Sequence, residues 1–287
     1  MLIRTYADIQ KLEGEHALSA AEKKLVENCK RGELTILGDG TRPKRRSNAR
    51  TIRADLLRYL ILGGCEQCRV HEKGVRLAGA WITGQLDLSF AHAKGAVRML
   101  RCAFVEPFVA YQAYLDRLVL NGSRLPGLSA EGATIRGDVF LDEIETAGEV
   151  SFSGAEIGGQ LLGNGAKLNG ANFMALNAEG ATIKCGVFLD NLKSTGEVSL
   201  SGAGIDGQLS CTGAELNSGE GVSLNAQSAT IKGGVFLNNL KSTGEVLFSG
   251  AEIGIELSFD GVELNGGQGP ALNAQRIIVR GSLFWRD

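Results

Sequence analysis

Proline and aromatic side chains are scarce in this chain: 4 prolines, and 6% aromatic residues in 287. Any core must therefore be built from Val, Leu, Ile and Ala. No apolar run approaches the ~18 residues of a membrane-crossing helix, so no membrane span is expected. The opening stretch MLIRTYADIQ has no apolar h-region, which predicts no secretory signal. Six scattered cysteines do not form the spacing of a disulfide framework. They fit a reducing compartment, and the cytoplasm is the expected location. Glycine is abundant (40) without proline or a G-X-Y period, which excludes collagen and argues against disorder.

Charge is unevenly spread. Residues 1–127 carry 21 Lys+Arg against 13 Asp+Glu, a net of +8, and residues 128–287 carry 9 against 19, a net of −10. Such asymmetry fits either a polyelectrolyte partner or two solvated surfaces of opposite sign.

What the chain has in quantity is repetition. GATIRGDVFL begins at Gly132, GATIKCGVFL at Gly180 and SATIKGGVFL at Ser228, so one long unit recurs at equal intervals. A shorter shift of eleven runs inside it: Val187 and Leu189 recur as Val198 and Leu200, then as Leu209 and Cys211. Each eleven holds two apolar-x-apolar pairs. Such a pair is a very short strand with both apolar side chains on one face. Gly and Ser between pairs let the chain turn a corner. Four pairs, or two elevens, close one square coil. Four extra residues, at NSGEG after Leu216 and NGGQG after Leu264, lengthen every second coil. One short and one long coil make up the long unit.

The pattern predicts a mainly β fold, a parallel β-solenoid with Val198, Leu200, Ala203, Ile205, Leu209, Cys211, Ala214 and Leu216 pointing inward. Asn177, Asn225 and Asn273 fall on outward parity and read as products of duplication. The solenoid is expected over 74–287, in roughly nine coils spanning about 40 Å at the spacing of stacked strands. FVEPFVAYQAYLDRL, residues 104–118, breaks the pattern and is read as a loop or lateral excursion. Residues 1–73 lack the repeat. Ser19 with Glu22 forms a capping box before a helix that stops at Gly32, and Ile52, Leu56, Tyr59 and Leu60 give a second helix ending at Gly63 and Gly64. The segment is a small α-helical cap with a basic linker, closing the first coil.

SGAEIGG, NGAKLNG and TGAELNS resemble the units of the pentapeptide-repeat family, whose consensus is Ala-(Asp/Asn)-Leu-x-x. The resemblance covers residue 74 onward and implies a right-handed quadrilateral β-helix. Here the half-turn is eleven residues rather than ten, and Glu or Lys often stands where the family has Asp or Asn. Some members resemble a DNA duplex in shape and charge and bind topoisomerases, and many pair through the C-terminal end.

Few residues point to chemistry. Arg42, Lys44, Arg45, Arg46, Arg50 and Arg53 form a basic patch that could meet phosphates, or a solvated linker. Cys65 and Cys68 with His71 have half of a zinc spacing, and Cys29 and His16 would have to fold back to complete it. They are read as ordinary cysteines at the junction of helix and solenoid, with no metal and no cofactor. Phe284 and Trp285 fall on the last coil, where Val279, Leu283 and Trp285 repeat Ile231, Val235 and Leu237, and mark an expected homodimer interface.

The expected function is a non-catalytic scaffold for a protein partner of unknown identity. Its sharper form is an acidic DNA mimic. About 32 Å of duplex carries about 19 charges, whereas the repeat half nets −10. The alternative is a nucleic-acid or anionic-surface binder acting through residues 41–58. A carbohydrate-active β-helix enzyme is the third class, disfavoured by 2 Trp and 4 Tyr and by uniform repeats.

Overall fold

A computed structural model describes residues 3, 5–10 and 17–286, so His16 lies outside the described residues. Among the described residues the cap holds three α-helices: α1 (Tyr6–Gln10), α2 (Ala20–Arg31) and α3 (Ala54–Ile61). Both arms of the Ser19–Glu22 capping box are formed, and Gly32 closes α2 in the left-handed conformation with its N–H on the carbonyls of Asn28 and Cys29. α2 buries Leu25, Val26 and Cys29, and α3 buries Leu56, Leu57, Leu60 and Ile61. The cap is more than helical. Its strands Thr35–Ile36 and Thr51–Arg53 pair in parallel with Val75–Ala78 and Trp81–Thr83, so two sides of the stack begin inside residues 1–73.

The rest is a parallel β-solenoid of about 10 turns. One turn reads Val139–Phe140, Glu145–Thr146, Val150–Ser151, Glu156–Ile157: four two-residue strands, one per side. Each stacks on its equivalent in the next turn, and the first side alone is an 11-stranded ladder ending at Ser282–Phe284. Leu161, Val187, Leu209, Val235, Leu257 and Leu283 succeed one another on its inward column. Long and short turns therefore alternate as the sequence pattern requires. At one corner, Asn164 and Asp190 are 26 residues apart, and Asp190 and Thr212 are 22 residues apart. All eight residues expected to point inward between 198 and 216 are buried, none more than 2% exposed.

The extra four residues leave the core untouched. Lys167–Asn177 and Glu215–Asn225 run past one corner and return, with breaks in register at 169/174 and 217/222. The shorter Lys193–Ser199 and Lys241–Leu247 take the same corner directly, through Gly196 (φ 104°) and Gly244 (φ 115°). A β-carbon at Gly244 would sit 2.5 Å from the Gly221 carbonyl oxygen, so only glycine fits there. The long turns therefore carry a fin, tipped by Phe173 in the first of them, which is 82% exposed.

Residues 104–118 correct the expectation of an excursion. Phe108 pairs with Leu86 on one side and Leu128 on the other, and Leu115 with Ile135, which makes this an ordinary turn. The step from Phe108 to Leu128 falls short of two full elevens, so the eleven-residue shift fails there. Its aromatics Tyr111 and Tyr114 face out.

Side-chain ladders tie the turns together. Inside, Phe152, Ala178, Leu200, Ala226, Phe248 and Ala274 alternate large and small up one column. At the corner after the first side, Asp142 accepts from the side-chain amide of Asn121 (2.9 Å) and the backbone N–H of Asn164 (3.0 Å), and Asn164 accepts from Asp190 N–H (3.1 Å). Asp190 in turn accepts from the N–H of Thr212 (2.9 Å) and from the Ser210 hydroxyl. These carboxylates and amides saturate backbone donors that the corner would leave unpaired.

Candidate interaction surfaces

On each two-residue strand of the first side, the residue after the inward one points out. The outward column reads Arg76, Arg98, Val119, Phe140, Leu162, Phe188, Ser210, Phe236, Ser258, Phe284. Its four phenylalanines come from every second turn, a spacing of about 9.6 Å at two strand separations. All four are half-buried. A β-carbon at Gly186 would meet the Phe188 ring at 2.8 Å, and one at Gly234 would meet the Phe236 ring at 3.0 Å, so glycine makes room for both rings. The guanidiniums of Arg117 and Arg286 cover Phe140 and Phe284 at 5.8 and 5.2 Å from the ring centres. At the cap end, Arg76 and Arg98 stand on adjacent strands. Burial, together with the charges of Arg76 and Arg117, pushes Arg98 below its ordinary value. The column thus begins basic and continues with four phenylalanines, the last three separated by the buried Ser210 and Ser258. Sequence reasoning placed Val187 and Leu189 inside and missed that the same alternation sends Phe188 out.

The basic patch does not stay together. Arg42 pairs with Glu145 at 2.8 Å and holds that carboxyl below the usual range. Arg50 pairs with Asp39 at 2.6 Å, and Arg53 binds the buried Glu22 at 2.8 Å. These three arginines fasten the cap to itself and to the solenoid. Lys44, Arg45 and Arg46 remain exposed, with no ion pair among the described residues.

A groove of about 760 Å³ runs along the base of the fin, where Lys167, Lys193, Glu215, Lys241 and Glu263 form one exposed column and Asn169, Thr195, Asn217, Thr243 and Asn265 a second. Its carboxylates are paired within the wall, Lys193 to Glu215 at 2.9 Å and Lys241 to Glu263 at 2.8 Å. No aromatic ring lines it. Pairing of this kind recurs elsewhere: Asp206 is bridged by Lys232 at 2.7 Å and Lys184 at 3.5 Å, which hold it below the ordinary carboxylate range.

The expected C-terminal pair is split. Phe284 belongs to the outward column. Trp285 points along the interior and packs on Phe259 at 4.9 Å between ring centres. Leu283 and Trp285 are both more than half exposed.

Cys65 and Cys68 bring their sulfurs to 3.3 Å from each other. His71 is not with them: its Nδ1 accepts from the Lys73 N–H at 3.2 Å. No group of three or more His, Cys, Asp or Glu side chains converges among the described residues. Cys211 is buried in the interior, which pushes its thiol up to about 12, and Cys185 is exposed. No helix among the described residues is long and apolar enough to cross a membrane.

No protein-family model, no curated protein and no solved structure matches the chain.

Proposed function

We propose that this protein is a non-catalytic scaffold of pentapeptide-repeat-like descent that binds a protein partner along the phenylalanine column. The column carries the reading: an outward row of four phenylalanines with Leu162, Ser210 and Ser258 between them, entered through two arginines on adjacent strands. Partly exposed aromatic rings with arginines beside them suit a protein contact surface, in which aromatics and arginine are enriched. The complementary partner presents carboxylates followed by apolar side chains at about 9.6 Å intervals, two strand spacings. An acidic DNA mimic is less well supported, because Glu215, Glu263, Asp206 and Glu252 are each bridged by a Lys or Arg. Binding of nucleic acid would rest on Lys44, Arg45 and Arg46, since the other three basic residues are committed to carboxylates.

Serine already occupies the column at 210 and 258, so the double variant Phe188→Ser/Phe236→Ser should keep the fold. In affinity capture from a cell lysate it is expected to lose what the wild type retains. A Lys44→Ala/Arg45→Ala/Arg46→Ala variant should retain it. Capture that survives the serine variant and disappears with the alanine variant reverses the assignment in favour of the basic loop.

We also propose a homodimer through the terminal turn. Leu283 and Trp285 are 59% and 55% exposed, whereas Leu257 and Phe259, one turn earlier on the same columns, are buried. A two-fold contact would set Leu283 and Trp285 against their copies, in line with the C-terminal pairing that the pentapeptide-repeat resemblance implies. Light scattering should give the mass of two chains for the wild type and of one for Leu283→Ser/Trp285→Ser. A one-chain mass for the wild type at micromolar concentration removes the dimer.

A further inference from the structure

Where α3 passes into the first full turn, the chain folds back on itself. Gly63 (φ 105°) and Gly64 (φ 64°) reverse it, and a short 3-10 turn, Glu66–Cys68, follows. A β-carbon at Gly64 would lie 2.5 Å from the Cys68 carbonyl oxygen, so this reversal is what lets Cys68 close on Cys65. The Cys68 N–H bonds the Cys65 carbonyl at 3.1 Å, the two sulfurs are 3.3 Å apart, and the hydroxyl of buried Tyr59 lies 3.3 Å from the Cys68 sulfur. A disulfide needs a separation of about 2.05 Å, an approach of little more than ~1 Å.

We propose that Cys65 and Cys68 are a redox-active dithiol, oxidised to an intramolecular disulfide by exchange with a small organic disulfide. The two cysteines differ as such a couple requires. Cys65 is part-exposed and Cys68 is buried. Partial burial opposes ionisation of Cys65, but the Tyr59 hydroxyl, the Cys68 thiol and the N–H groups of Cys68 and Gln67 outweigh it, so Cys65 titrates below an ordinary thiol. Burial pushes Cys68 up. Burial, then the hydrogen bonds to the two sulfurs, also pushes the Tyr59 hydroxyl up, and it stays a proton donor. Cys29, on α2, is held protonated by burial, at about 12.

The chemistry balances without any other reagent. The Cys65 thiolate attacks one sulfur of RSSR, the S–S bond breaks, and one RS⁻ leaves and takes a proton from water. Cys68 gives up its proton and attacks the Cys65 sulfur of the mixed disulfide. The second RS⁻ leaves and is protonated. The protein loses two electrons and two protons, and RSSR becomes two RSH. Cys65 is the attacking residue, Cys68 the resolving one and Tyr59 a positioning residue. Oxidation fixes the turn that hangs the cap on the stack, which is also tied by the Lys94 N–H on the Ile61 carbonyl at 2.8 Å and the His71 N–H on the Cys29 carbonyl at 2.9 Å.

The test uses the full reduced chain, glutathione disulfide as oxidant, alkylation and peptide mapping by mass spectrometry. Wild type is expected to form the Cys65–Cys68 disulfide with no lasting adduct on either of these two cysteines. Cys68→Ser should stop at one glutathione adduct on Cys65, and Cys65→Ser should leave Cys68 unmodified over the same interval. Exposed Cys185 should take an adduct in all three and reports that the reagent is active. Tyr59→Phe should move the pH midpoint of Cys65 alkylation upward, a change that loss of packing alone does not produce while the melting curve is retained. The proposal is overturned by a wild-type dithiol that stays reduced while Cys185 reacts, by a stable adduct on wild-type Cys65, or by Cys68 reacting first.

Discussion

Leu209→Asp is expected to abolish the cooperative melting transition. Leu209 is fully buried, between Val187 below and Val235 above on the inward column. The aspartate would lie buried between two valines, and an unpaired charge there costs several kcal/mol even after relaxation. Domains are stable by only about 0.05–0.15 kcal/mol per residue. A stack is held turn by turn, so one failed turn also uncouples the turns on either side. Gln208→Asp, one residue away on the outward parity, should keep the transition in circular dichroism. An unchanged curve for Leu209→Asp would place residue 209 on the wrong side of the wall.

Arg53→Ala should release the cap while leaving the far turns intact. Glu22 has a side chain 4% exposed and bonds Arg53 through its N–H (3.1 Å), Nε (2.8 Å) and Nη2 (3.1 Å), besides completing the cap of α2 at Ser19 N–H (3.0 Å). Removing the guanidinium leaves a buried carboxylate with two backbone donors and no counter-charge, a loss of about 3–5 kcal/mol. Hydrogen exchange should show protection falling over residues 20–31 and 51–61 but not beyond residue 180. Replacing both partners together, Glu22→Met with Arg53→Met, should recover much of it, because the charge to be desolvated is gone. Equal protection in Arg53→Ala and wild type would show that the pair contributes nothing to docking the cap.

The repeat was legible because period-2 alternation and turn residues encode a short strand directly. Val198 to Leu216 could be placed inward from sequence alone, and the alternation of short and long turns followed from four extra residues near Asn217 and Asn265. The strands of the cap were not legible. Thr35–Ile36 and Thr51–Arg53 are two and three residues long, carry no repeat, and become strands only because Val75–Ala78 and Trp81–Thr83 offer them an edge. The basic patch misled for a related reason. Arg42 finds its carboxylate at Glu145, far along the solenoid, and Arg50 and Arg53 find theirs at Asp39 and Glu22, pairings that a linear run of charge does not reveal. The Cys65–Cys68 apposition depends on two glycines with positive φ, a backbone path invisible in the residue names.

The alternation of Phe152, Ala178, Leu200, Ala226, Phe248 and Ala274 has a consequence for how this molecule changes length. Between Phe152 and Ala274, removing a single turn would set two large side chains one above the other, a clash, or two alanines, the arrangement found only lower in the same column at Ala110 and Ala130. Removing two, for instance residues 180–227, rejoins Glu179 to Ser228 with every large residue still over a small one. From Phe152 onward the stack is therefore a ruler graduated in pairs of turns, about 9.6 Å per graduation at two strand spacings. Each step adds or subtracts one phenylalanine from the outward column. Length and the number of apolar contacts cannot be adjusted separately, so a chain shortened by one graduation would offer its partner a row that is shorter by one ring and still in phase.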